Sequence, residues 1–379
     1  MPNYVQQNGT QSTFPRNGPQ ISSVYSHAAI GDYVPMSTLP PALAAVSINP
    51  PAFEVAAVAE AVARQFGLQG NFEPLVSERD QNFRLHADDG SRYVVKVIGA
   101  AEDDATTAFE IGLLRQLQQA DDVIAPAVIP TVHSEGSGEI SSSDARHRLR
   151  VVTWVDGEPL ETGLLDPTTC GQFGAALARL GTALRGYSHP GENRLLAWDL
   201  QRVCELSGFG DHIDDVETRT AVSRAIDDYA SRVLPVKPTL PSQVIHGDAN
   251  PDNVLATGNG IAFIDFGDSI KAPRIFDLAI AAAYLRPGSD DPTGLIAPFV
   301  AGYHSAARLE ARELELLFDL IRARLATTIT MLYWGLSERE DGDLYRQKSL
   351  EQEGGAGRFL DLLDDLGRHE FRQKLINIQ

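Results

Sequence analysis

The strongest constraint on how this chain can fold is a change of period along it. In residues 51–155 the apolar residues fall largely into short β-branched and aromatic runs, whereas beyond Asp156 they recur mainly at helical spacing. The stretch "FEPLVSERDQNFRLHADDGSRYVVKVIG" reads as strand, turn, strand, "DDG" turn, strand. Ahead of it, "FEVAAVAEAVARQF" sets Val55, Val58, Ala59, Val62 and Phe66 on one helical stripe, with Gly67 and Gly70 as stop signals. After it, "DDATTAFEIGLLRQLQQA" repeats the helical pattern through Phe109, Leu113, Leu114 and Leu117. The segments "AVIPTVHSEG" and "RHRLRVVTWVDGEPL" then read as two strands around a polar loop, "GSGEISSSDA". The expected order is helix, three strands, helix, two strands: a small α+β lobe. Residues 156–379 read as a mostly helical second lobe, in which "NVLATGNGIAFID" forms one hairpin.

With 379 residues the chain can bury two such cores. Its 51 acidic against 32 basic residues disfavour a polyanionic partner, so no nucleic acid is expected. Cys170 and Cys204 are too few for a disulfide framework or a zinc site, which points to a reducing compartment and a cytoplasmic protein. No apolar run reaches the roughly 18 residues that would span a bilayer, so no membrane partner is expected. Residues 1–50 are rich in Asn, Gln, Ser, Pro and Gly without a sustained period, and read as a disordered leader.

The hairpin carries the chemistry. Folding "NVLATGNGIAFID" about Asn259 sets Asn253 and Asp265 opposite each other at its open end. An amide carbonyl beside a carboxylate is a pair of hard oxygen ligands suited to Mg²⁺. Asp248 lies five residues before Asn253, in the loop leaving "SQVIH", and can face the same point. A lone "HGD" or "DFG" would be ordinary turn chemistry; the joint spacing H-G-D-x-x-x-x-N, hairpin, I-D-F-G is not.

"HGDANPDN" with "IDFGD" resembles the aminoglycoside phosphotransferase and choline kinase superfamily, whose members share a bilobal protein-kinase-like fold. The "DQNF" loop and "AWDL" resemble its hydroxylysine-kinase-like branch. The resemblance implies an enzyme that moves the γ-phosphate of ATP or GTP, with Mg²⁺, onto a small acceptor's hydroxyl. Asp248 would be the catalytic base, with His246 and Asp277 bracing its loop, and Asn253 and Asp265 would hold the metal. Lys96 in "YVVKVI" would meet the nucleotide phosphates, its ammonium paired with Glu110, or with Glu102 nearby. The backbone of Arg79, Gln81 and Asn82 and the Ser77 hydroxyl would cover the phosphates, Arg79 serving as a phosphate contact or a surface charge. In "VVTWVDGEPL", Thr153 and Val155 would meet the adenine edge, with Val152 near the base.

For the acceptor, a small hydroxylated amine or amino acid, Asp199 and Asp268 would take the amine, and Arg322 or Arg324 a carboxylate. Choline or ethanolamine, homoserine and aminoglycosides are the alternative acceptors. A nucleotide-binding pseudokinase would need Lys96, Asp248, Asn253 or Asp265 to be lost, and all are present. A protein kinase is disfavoured because "SIKAPRIFDLA" runs almost directly into a helix, without an activation segment.

Overall fold

The computed structural model describes residues 50–376 apart from 78, 144, 161–164, 287 and 338–343. The expected leader lies outside the described residues except for Pro50. The first half builds a five-stranded antiparallel sheet from β1 (Gly70–Leu75), β2 (Gln81–Ala87), β3 (Arg92–Val97), β4 (Gly138–Ser141) and β5 (Arg146–Thr153), in the order β1-β2-β3-β5-β4. Helix α1 (Val55–Phe66) ends at Gly67, whose φ of 70° suits a residue without Cβ. Its buried stripe, Val58, Ala61, Val62 and Phe66, packs with Phe83, Leu85, Val95 and Val151 into one core.

Helix α2 (Asp104–Leu117) is capped by Asp103, whose carboxylate accepts the Thr106 N–H at 2.7 Å. Its apolar face, Phe109, Leu113, Leu114 and Leu117, joins the larger core of the second half. The helix that carries Glu110 is therefore positioned by both halves of the molecule.

One strand is not where the sequence predicts it. "AVIPTVHSEG" forms only an isolated bridge between Val128 and Val152, and β4 arises inside the stretch read as a polar loop. Pro130 has no N–H for a ladder and Ser134 adopts a left-handed φ of 66°, both unfavourable to a strand there. β4 is held instead by cross-strand charge, Glu139 meeting Arg146 at 3.0 Å and Arg148 at 2.8 Å.

In the second half, β6 (Glu158–Pro159), β8 (Val254–Thr257) and β9 (Gly260–Phe263) form a small sheet, and β7 (Ser242–Ile245) pairs with β10 (Ile270–Pro273). Around them lie α3 (Pro167–Ala183), α4 (Val216–Asp228), α5 (Arg274–Ala282), α6 (Ile296–Ala306), α7 (Ala311–Ser337) and α8 (Leu344–Ile376), the last interrupted at Gly367. Among the described residues no helix is long and apolar enough to cross a membrane.

Candidate active site

The loop leaving β7 is fastened at every residue. The first-turn carboxylate of α5, Asp277, accepts the N–H groups of His246 and Gly247, each at 3.0 Å. His246 has its Nε2 3.1 Å from the Ile264 carbonyl, while its Nδ1 accepts the Asp248 N–H at 3.3 Å. That pattern requires a proton on Nε2 and none on Nδ1, and burial lowers the imidazole pKa, so the ring is a neutral brace. Gly247 has φ of 81°, and a Cβ there would lie 2.1 Å from the Asp268 carbonyl oxygen. Gly247→Ala is expected to destabilise the fold by at least ~2 kcal/mol. Urea unfolding would check this, and an unchanged midpoint would mean the backbone shifts away freely.

Asp248 is buried with both oxygens engaged. Oδ2 accepts the Asn250 and Asn253 side-chain amides, each at 3.0 Å, and Oδ1 lies 3.1 Å from Nη2 of Arg324. Burial pushes its carboxyl up to about 7, the Arg324 guanidinium opposing that rise. The Asn253 amide nitrogen also donates to the Asp248 carbonyl at 3.0 Å, so a cation at Asn253 would meet the side-chain oxygen. The hairpin register differs from the expected one. Thr257 pairs with Gly260 across a two-residue turn, so Asn253 stands opposite Ile264, and Asp265 lies one residue further on. Asp265 adopts a left-handed φ of 57°, unusual for a residue with a side chain.

The nucleotide side shows the largest departures from expectation. Lys96 pairs with Asp265 at 2.9 Å, and the Lys96 ammonium holds the Asp265 carboxyl well below the usual carboxylate range. Glu110 is not its ion-pair partner. Arg150, the cross-strand neighbour of Lys96, reaches Glu110 at 2.5 Å, and Arg194 reaches it at 3.0 Å. Two fixed guanidinium groups satisfy the buried Glu110 more completely than one mobile ammonium could. Glu102, the alternative, accepts the Thr107 hydroxyl at 3.1 Å, and burial together with the charge of Glu110 pushes it up to about 7.

Gln81 and Asn82 belong to β2, not to a phosphate-covering loop. The Gln81 amide exchanges two 2.8 Å hydrogen bonds with the Phe53 backbone and so anchors the entry to α1. The Ser77 hydroxyl accepts the Asp80 N–H at 3.3 Å, closing the loop on itself. Arg79 reaches across to Asp268 at 2.6 Å, so it is neither a free surface charge nor a free phosphate contact here. At the expected hinge, the Thr153 N–H donates to the Ala127 carbonyl at 2.9 Å, so it is engaged within the fold. Val152 is buried and Val155 half-buried.

On the acceptor side, Asp199 and Asp268 are brought together. Both line a narrow cleft with Trp198, Gly247, Ile270 and Phe276. Asp199 caps the 3₁₀ segment Leu200–His212 through the Gln201 N–H at 2.9 Å, and burial raises its pKa. Neither arginine is the open fork expected for a carboxylate. Arg322 is tied to Asp228 of α4 and, at 2.6 Å, to Asp364 of α8. Arg324 is fully buried against Asp248, the Trp198 carbonyl at 2.9 Å and the Tyr284 hydroxyl at 3.2 Å. Arg322→Ala is therefore expected to lower the melting temperature by several degrees while leaving the acceptor KM within about twofold. A large rise in acceptor KM would return Arg322 to the acceptor site.

The phosphotransferase enzyme family model matches residues 71–314, more than half of the chain; the match takes in Lys96, Asp248, Asn253 and Asp265, while Arg322 and Arg324 lie beyond it. The chain belongs to that family. Among curated relatives, this phosphotransferase is 24% identical over 333 residues to hydroxylysine kinase of Danio rerio, covering 84% of this chain and 93% of that protein. It is 28% identical over 276 residues to homoserine kinase of Chelativorans sp. (strain BNC1), covering 71% and 81%. Among solved structures, amicoumacin kinase hAmiN in complex with AMP-PNP, Ca²⁺ and Ami superposes with a TM-score of 0.65 at 16% identity, covering 83% of this chain and 94% of that one. The fold is protein-kinase-like, and the enzyme is a small-molecule kinase acting on a hydroxyl group.

A nucleotide and a divalent metal fit this phosphotransferase. Asp265 is held ionised, as a metal ligand must be, and the Asn253 nitrogen is occupied in a way that offers oxygen to a cation. Arg194, which no motif in the sequence marks, donates to the Gly267 carbonyl at 2.5 Å as well as to Glu110 and so links α2 to the Asp265 loop. Arg150 is likewise unmarked by any motif and becomes the neighbour of Lys96 only through the β3–β5 register.

Proposed function

We propose that this phosphotransferase moves the γ-phosphate of ATP or GTP, with Mg²⁺, to the hydroxyl of a small amine or hydroxylated amino acid of the hydroxylysine type. Supporting this, Asp199 and Asp268 line one narrow space of about 10 Å³ together with Gly247, the residue before Asp248, so an acceptor amine would have to take the place of Arg79 at Asp268 to enter. An ammonium held by those carboxylates would present a hydroxyl near the Asp248 carboxylate. Residues 51–155 form the nucleotide-binding lobe in this reading, and residues 156–379 supply the metal ligands and acceptor cleft. Asp248 accepts or orients the hydroxyl proton, and His246 and Asp277 keep its loop in place. Lys96 neutralises phosphate charge, while Arg150 and Arg194 hold Glu110 and the Asp265 loop in register. Asn253 and Asp265 would hold Mg²⁺, which when bound screens the phosphate charge. The backbone of Thr153 and Val155 meets the adenine edge.

The activities of the hydroxylysine kinase and homoserine kinase relatives support an amino-acid acceptor. With Arg322 and Arg324 both engaged elsewhere, recognition rests on the amine. Two cysteines without a disulfide fit a cytoplasmic enzyme. Coupled-assay rates for hydroxylysine, homoserine, ethanolamine, choline and kanamycin, each with ATP and with GTP, test the reading. Hydroxylysine or homoserine is expected to lead, and Asp199→Asn to raise the acceptor KM by about tenfold or more. Preference for kanamycin, or an unchanged acceptor KM in Asp199→Asn, would contradict it.

A further inference from the structure

Arg324 joins two parts of the site that are distant in sequence. One terminal nitrogen of its guanidinium lies 3.1 Å from Oδ1 of Asp248 and 3.2 Å from the Tyr284 hydroxyl, and the other donates to the Trp198 carbonyl at 2.9 Å. The group is fully buried, its carbon 5.5 Å from the Trp198 ring centre and 5.7 Å from that of Tyr284. Trp198 immediately precedes Asp199, the proposed amine anchor. Since the guanidinium is rigid and planar, holding both partners at once fixes the carboxylate that faces the hydroxyl relative to the segment that faces the amine.

We infer that Arg324 is a positioning residue that sets the spacing between Asp248 and the Trp198–Asp199 segment, and thereby the separation of amine and hydroxyl that the enzyme accepts. This rests on the proposed amine anchor at Asp199. A lysine at 324 would keep the charge but supplies no planar fork, so it can satisfy Asp248 while releasing Trp198. Displacing the reacting groups by about 1 Å can lower turnover by about 10²-fold, and one methylene is ordinarily discriminated by about tenfold or more.

The test compares kcat/KM for the best acceptor of the panel and for its homologues one methylene shorter and one longer, in wild type, Arg324→Lys and Tyr284→Phe. Wild type is expected to prefer one length by about tenfold or more. Arg324→Lys is expected to lower kcat by about 10²-fold, to compress the length preference to within about threefold, and to leave the nucleotide KM within twofold. Tyr284→Phe, which removes one of the contacts restraining the guanidinium, should shift both quantities in the same direction by a smaller factor, and it serves if Arg324→Lys does not fold. A variant whose rates fall equally for all three lengths, or a wild type without length preference, overturns the inference. Asp199→Asn separates the two readings: if its acceptor KM is unchanged the amine anchor fails, whereas a raised KM with an intact length preference in the Arg324 and Tyr284 variants refutes only the positioning role.

Discussion

Asp248→Asn is expected to lower kcat by at least ~10²-fold, the scale for removing a positioned base. An amide cannot accept from Asn250, Asn253 and Arg324 as two carboxylate oxygens do, so its NH₂ would have to face either the two amides or the guanidinium. It would also leave the buried Arg324 without its countercharge. Breaking a buried pair by removing one partner commonly costs about 3–5 kcal/mol, so a lower melting temperature should accompany the lost turnover. Kinetics below the variant's own melting temperature, with near-UV circular dichroism to establish folding, separate the two effects. A folded variant with near-native kcat would remove Asp248 from the chemistry.

The second large effect is expected at Asp265. Asp265→Ala should abolish Mg²⁺-dependent turnover more completely than Asn253→Ala, by about 10³-fold against a smaller loss, because a carboxylate compensates metal charge and an amide does not. The two variants should also fail differently. Loss of Asp265 removes the partner that lies 2.9 Å from Lys96 and should raise the Mg²⁺ concentration needed for half-maximal rate. Loss of Asn253 removes two contacts to Asp248, a defect that added Mg²⁺ cannot restore. Rates across a Mg²⁺ titration check both statements, and a reversed ranking would contradict the metal assignment.

The change of period, the hairpin and the His246 to Asn253 motif were legible in the sequence because local patterning specifies them. What was not legible depends on register and on distant partners. The hairpin turn occupies Gly258 and Asn259, two residues where a fold about Asn259 alone was expected, and this shifts the partner of Asn253 by one position. The partner of Glu110 is decided by Arg150, forty residues away in the chain and adjacent to Lys96 only once β3 and β5 are paired. Arg322 and Arg324 are separated by two positions on α7, roughly 200° around a helix, so only one of them could face the cleft. Helical geometry excluded the pair acting together. It could not tell that Arg324 would meet Asp248 and that Arg322, buried on the other side of the helix, would meet Asp364.

Transfer of a nucleotide γ-phosphate to an acceptor hydroxyl can be followed by ³¹P NMR of the complete reaction with nucleotide, Mg²⁺ and the best acceptor of the panel. A phosphomonoester of that acceptor is expected, formed in equal amount with nucleoside diphosphate and at least ~10²-fold more slowly with Asp248→Asn. Release of inorganic phosphate alone, at the same rate with and without acceptor, would contradict it.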